Sequence, residues 1–279
     1  MKEVAVANWA AALHTADGHP VSPRVVGIRS GRPSLEQVPG PRLDTRLQGG
    51  EEAVHLVGAA ARTLAAVHTA TPPAALHDTV TFEHPLWDPV PLETHLGLST
   101  AQRRILGELH TDEDLRSRGR LIRDRVQRRS VPCHGDARTA NFCVVAPRTP
   151  VLIDWETAGW GSPAGDLAAL CGSLFADLLV GTAAPAGTGS RASSRASLAA
   201  AVERWTASVR AALAEYRHAA GACPDAEGLL GPAVGCALLV RAFVRAAYTT
   251  YDRQVACLYE IGASLLRAPE RWRTIDVQR

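Results

Sequence analysis

Residues 133–170 read CHGDARTANFCVVAPRTPVLIDWETAGWGSPAGDLAAL. Asp136 and Asn141 stand five residues apart in a polar loop bracketed by apolar stretches. Asp154 closes the second of these stretches and is followed by Trp155 and Glu156. The pattern predicts strands at Phe142–Val145 and Val151–Asp154 with a turn at Arg148–Pro150. If the two strands pair as a hairpin, the loop before one and the end of the other meet at one edge. Two carboxylates and a carboxamide then converge, with side-chain oxygens expected within about 4–8 Å of one another, a donor set that suits Mg²⁺. A carboxylate left off the metal is placed to accept a proton from a substrate hydroxyl.

Upstream of this segment, residues 3–15 read as a short amphipathic helix with Val4, Ala7, Ala11 and His14 on one face and Gly18 as its stop. A strand at Val25–Ile28, a turn over Ser30–Pro33 and a second strand through Leu35 and Val38 follow, closed by Pro39-Gly40. Glu51–Ala70 is strongly helical, with Val54, Val57, Ala61, Leu64, Ala65 and Val67 on one face. Residues 71–97, rich in proline and single aromatics, read as a structured loop. Helices are expected near 99–110 and 112–129, the second carrying a basic, solvated face (Arg116, Arg118, Arg120, Arg123, Arg125, Arg128, Arg129). Further helices fall near 163–180, 198–220, 227–249 and 252–267, with a low-complexity loop at 181–197. The expected fold class is α+β and mainly helical, with a strand-containing entrance (1–40) and a helical body (41–279).

Composition bounds the partners. A chain of 279 residues with 46% hydrophobic content can fill a core, and a net charge of +2 gives no reason to expect nucleic acid or a membrane. Lys2 is the sole lysine among 30 basic residues, so any step needing a lysine amine must use it or do without. Six scattered cysteines form no C-x-x-C pair, which reads as buried thiols in a reducing compartment. Glu3 and the lack of an uninterrupted apolar core argue against a signal peptide, and no run approaches eighteen apolar residues. A cytoplasmic protein is expected.

The segment around Asp136 resembles the aminoglycoside phosphotransferase and choline-kinase-like branch of the protein-kinase superfamily. Three motifs carry the resemblance in order: His134-Gly135-Asp136 with Asn141, then Ile153-Asp154-Trp155-Glu156, then Ser162-Pro163-Ala164-Gly165-Asp166-Leu167-Ala168. Leu64–His68 looks like the family's L-A-x-x-H helix, and Glu36-Gln37-Val38-Pro39-Gly40 looks like its adenine-binding hinge. The resemblance implies Asp136 as catalytic base, Asn141 and Asp154 as magnesium ligands, and Glu36, Gln37 and Val38 as the nucleotide contact. His134 is a second candidate for proton transfer, although bracing of the loop accounts for both His134 and Asp166 and is the favoured reading.

The family's N-terminal lobe carries a glycine-rich loop, a strand-borne lysine and a glutamate that holds it. Here the chain begins at about the helix that bears the glutamate, and Glu3 is the only candidate relic of it. Phosphate clamping is therefore expected to be weak, and ATP binding millimolar or absent. The main functional expectation is phosphoryl transfer from Mg·ATP or GTP to a hydroxyl of a small molecule or peptide. The alternative is a kinase-like protein without phosphotransfer, acting as a cyclase or complex partner in peptide tailoring. A third possibility is a scaffold. A partner chain or self-association through residues 1–40 is expected in any of these.

Overall fold

Helix α2 (Glu51–Thr69) forms the spine of the molecule, because its apolar positions recur at helical spacing and bury Leu56, Val57, Leu64 and Val67 completely. In the computed structural model, which describes residues 2–47, 50–80, 86–145, 148–181, 191–221 and 228–275, α2 lies along a long later helix. The earlier elements are α1 (Lys2–Ala12), β1 (Val25–Arg29) and β2 (Arg32–Leu35). After α2 come α3 (Leu92–Gly97), α4 (Thr100–Thr111) and α5 (Glu113–Val126). Short strands β3 (Val131–Cys133), β4 (Phe142–Val145), β5 (Thr149–Leu152) and β6 (Gly159–Gly161) then give way to α6 (Pro163–Val180), α7 (Arg191–Ala220), α8 (Leu230–Arg245) and α9 (Arg253–Arg267).

The body is a helical stack: α2 against α7, α6 against α7 and α8, and α8 against α9. Helix starts follow local chemistry. Ser99 and Gln102 form a reciprocal capping box at α4, while Asp112 and Asp252 accept the Leu115 and Val255 amides at α5 and α9. Helix α6 is long and apolar enough to cross a membrane by length and composition, contrary to the reading from apolar runs. However, 67% of its window is buried inside the protein, as a core helix.

Three two-stranded pairs make up the β-structure of the described residues: β1–β2, β3–β6 and β4–β5, all antiparallel. The β4–β5 hairpin is the expected one, but it starts earlier. Thr149 and Pro150 lie in the strand and not in the turn, and Asp154 falls two residues beyond its end. The β3–β6 pair was not anticipated; Val131-Pro132-Cys133 and Gly159-Trp160-Gly161 have little strand propensity.

Other boundaries shift as well. Helix α1 ends at Ala12, and its buried residues are Val6, Ala7 and Ala10, not Val4, Ala11 and His14. The Thr15 amide donates to the His19 carbonyl and the Val21 amide to the Leu13 carbonyl, so Gly18 (φ +80°) makes the turn back well after the helix has ended and is not its stop. Val38 lies beyond β2, and α7 begins at Arg191, inside the expected loop. Residues 182–190 of that loop, and Cys223, lie outside the described residues. The other cysteines are free, with Cys133, Cys143, Cys171 and Cys236 buried as expected. On α5 the basic face is only partly solvated: Arg120 and Arg123 both pair with Asp88, which ties down the preceding loop.

Candidate active site

The loop after β3 is held from below by one buried carboxylate. Asp166, on the first turn of α6, accepts the His134 amide on Oδ2 (2.7 Å) and the Gly135 amide on Oδ1 (2.8 Å). His68, at the end of α2, meets the same Oδ2 through Nε2 at 3.0 Å, and its Nδ1 lies 2.9 Å from the Tyr216 hydroxyl. Burial alone raises the Asp166 pKa, but the hydrogen bond and charge of His68, with the His134 amide, outweigh it and hold the carboxyl below its ordinary value. Ligand atoms of His68, Cys133 and Asp166 lie within 4.8 Å of one another. Metal binding does not fit this cluster: the Asp166 oxygens are engaged by amides and His68, and burial pushes the Cys133 thiol well up, away from the thiolate a metal takes.

Gly135 has φ +85°, and a Cβ there would lie 2.4 Å from the Thr157 carbonyl oxygen, so the loop requires glycine. His134 is fully buried. Its Nε2 donates to the Ile153 carbonyl (2.8 Å) and its Nδ1 accepts the Asp136 amide (3.2 Å). Those partners fix the tautomer and leave no ring nitrogen for a substrate. The geometry therefore gives His134 a bracing part and argues against the proton-transfer candidacy.

Asp136 and Asn141 meet as expected. Asn141 Nδ2 donates to Asp136 Oδ2 (3.0 Å) and to the Asp136 carbonyl (2.8 Å). Arg138 Nε stands 3.0 Å from the same Oδ2 as an ion pair. Among the described residues nothing donates to Asp136 Oδ1 or Asn141 Oδ1, so one oxygen of each faces no protein partner. The Ile153 amide donates to the Asn141 carbonyl (2.9 Å), so Asp154 leaves the chain immediately beside the loop. Asp154 is exposed and left-handed at φ 68°, a conformation aspartate tolerates better than most residues and one that clusters at functional sites. Its carboxylate has no partner among the described residues. Unspent hard oxygens on Asn141 and Asp154 fit a hydrated Mg²⁺.

A cavity of about 510 Å³ opens beside Asp154 and is lined also by Glu3, Arg32, Glu36, Val38 and Cys143. Asp136 and Asn141 stand off its wall, and Gln37 is exposed and does not line it. The Glu36 carbonyl and Val38 amide carry no hydrogen bond among the described residues, whereas the Glu36 amide and Val38 carbonyl are used by Arg24 and Gly40. Glu36 itself is held below its ordinary pKa by hydrogen bonds from the Arg24 backbone and side chain.

A charged group beside the loop escaped sequence reading. Thr139 Oγ1 donates to Asp177 Oδ2 at 2.5 Å, and burial raises the Asp177 carboxyl to about 6. Burial depresses the Arg241 guanidinium, against the opposing charges of Asp136 and Asp177. The legible signal was Arg241 itself, the charge that interrupts an apolar run from Leu230 to Val240 at the start of α8.

A family model described as phosphotransferase enzyme family matches residues 1–216. The chain belongs to that family. Among solved structures, this phosphotransferase-family chain is similar to an ethanolamine kinase of Plasmodium vivax at 14% identity (TM-score 0.49; 91% of this chain, 70% of that one). It is similar also to a glucosamine kinase at 18% identity (TM-score 0.46; 90% of this chain, 66% of that one). A thermostable mutant of aminoglycoside phosphotransferase APH(4)-Ia matches at 15% identity (TM-score 0.47; 89% and 78%). The chain thus spans about two thirds of the length of the glucosamine kinase. No curated protein matches it. The mainly helical α+β class expected from the sequence is the class observed.

Proposed function

We propose that the chain transfers the γ-phosphoryl group of ATP or GTP to a hydroxyl of a small molecule or peptide. The observation that carries this reading is the Asp136–Asn141 contact at 3.0 Å, placed one backbone hydrogen bond from the cavity-lining Asp154. The Glu36 carbonyl and Val38 amide, unbonded among the described residues, offer one acceptor and one donor two residues apart for the donor–acceptor edge of a nucleobase. Residues 1–40 on this reading form the nucleotide-facing entrance and 41–279 the body.

Asp136 takes the acceptor hydroxyl's proton. Asn141 orients that carboxylate through Nδ2 and, with Asp154, would hold Mg²⁺ through oxygen. Bound Mg²⁺ supplies charge neutralisation at the phosphates. The Asp166–His68 brace keeps the loop in place while the proton moves. His134 fixes the spacing between Asp136 and Ile153.

A second reading, association through the entrance, is favoured by one feature. Val26 and Ile28 on β1 are 65% and 64% exposed, an apolar face of a kind that partners cover. In that case the chain acts within a complex, and the alternative without phosphotransfer remains open to it. Calorimetry with Mg·ATP, run beside Asp154→Ala, separates the two. Binding that the variant loses supports phosphotransfer; no heat from either protein favours the complex-bound role.

A further inference from the structure

We infer that Arg32 is the phosphate-binding cation of the cavity, receiving the phosphate chain of a nucleoside triphosphate whose base rests against Glu36–Val38. The inference rests on the nucleotide reading above and adds a residue that neither the motifs nor the family match assigns. The wall of the cavity is acidic: Glu3, Glu36 and Asp154 all contribute to it. Glu36 is answered by Arg24 at 3.0 Å. The sole lysine, Lys2, is engaged by Asp78 at 2.7 Å and does not line the cavity. Arg32 is the guanidinium that does.

Of the arginines of the N-terminal segment, Arg24, Arg42, Arg46 and Arg62 each hold a carboxylate, whereas Arg29 and Arg32 make no ion pair among the described residues, and of these two it is Arg32 that lines the cavity, beside Glu3 and Asp154. It also stands directly across the hairpin from Arg29. Like charges placed opposite one another on a β-ribbon are unfavourable. An anion bound at Arg32 relieves that repulsion.

Reach is consistent with the assignment. The tight turn at Ser30-Gly31, both residues with positive φ, delivers Arg32 as the first residue of β2, and not within the turn as its sequence suggests. From Arg32 the chain continues past the strand to Glu36. At about 3.3 Å per extended residue that is about 13 Å, the kind of span that separates a nucleobase from the outer phosphates of its triphosphate. A guanidinium on a flexible stem, with fork-shaped donors, suits phosphate oxygens at the far end.

The test is calorimetry on the full chain with adenosine, AMP, ADP and ATP, the nucleotides with Mg²⁺, and with the guanine series in parallel. Wild type is compared with Arg32→Ala, Arg32→Lys and Arg118→Ala, the last removing an equal charge on exposed α5. Arg32→Ala is expected to weaken ATP by about 10- to 100-fold, with the loss shrinking as phosphates are removed and vanishing at adenosine. Arg32→Lys should recover part of the affinity, and Arg118→Ala should bind as wild type does. Equal losses for ATP and adenosine, or an unchanged ATP affinity in Arg32→Ala, overturn the inference while the nucleotide site stands. Wild type that binds no member of either series takes down the nucleotide reading, and the inference with it.

Discussion

The loop at residues 133–141 and the hairpin at residues 25–35 both contribute to the proposed site, and they are held by different physics. In the loop, the amides of His134, Gly135 and Asp136 end on Asp166 or His134, and the His134 ring is spent on Ile153. In the hairpin, β1 leaves Val26 and Ile28 in solvent, and α1 is the helix packed against both strands. The proposed proton acceptor sits where the amides of His134, Gly135 and Asp136 are all satisfied. The surface that would meet a nucleotide or a partner sits where few contacts hold it. Adjustment there costs little free energy, and in the loop it costs much.

The comparison can be broken most directly at the base. Asp136→Asn should lower phosphoryl transfer by about 10²–10⁴-fold with the fold intact, measured as ATP turnover with hydroxyl acceptors beside far-UV circular dichroism. Retained turnover would move the base elsewhere. Next comes the brace: Asp166→Ala leaves His68 and two amides without their acceptor inside the core. It should cost about 3–5 kcal/mol in urea unfolding. A loss below about 1 kcal/mol would mean the loop is held by something else.

Gly135→Ala should cost about 1–3 kcal/mol, since the added carbon meets the Thr157 carbonyl in a left-handed backbone. Asp177 gives a pH signature of opposite sign to Asp166. With its folded pKa raised to about 6 from 3.8, the folded state binds the extra proton between those values. Stability from this group is therefore full at low pH and falls as pH rises through about 6, whereas the Asp166 contribution is present above its unfolded pKa and lost on acidification. Unfolding curves of wild type between pH 4 and 7 should show a downward slope in stability that those of Asp177→Asn lack. Smallest of all is the hairpin face: Val26→Thr with Ile28→Thr should change monomer stability by less than about 0.5 kcal/mol. By contrast, Leu64→Ala in α2 should cost about 2–5. If wild type self-associates, light scattering of the double variant should show the monomer.

Long periodic helices were legible to within a few residues, as α2 and α6 show, because a buried stripe at 3.6-residue spacing has no other economical conformation. The pairing of Asp136 with Asn141 was legible for a related reason: a short loop between apolar strands has few ways to place its polar side chains. The rest depended on contacts distant in sequence. Pro132 and the glycines at 159 and 161 give no strand signal, and β3–β6 exists because the surrounding packing brings them together. His68 lies 98 residues from Asp166, and only the packing of α2 beside α6 turns two separate motif residues into one brace. Arg32 read as part of a turn until the register of β1 and β2 set it at the start of a strand and on a cavity wall. Sequence alone determined which side chains offer the functional groups that the proposed phosphoryl transfer needs, since residue type and local spacing are covalent facts. Tertiary structure decided which of them brace and which face open space, because burial and the satisfaction of hydrogen bonds are properties of the whole packed chain.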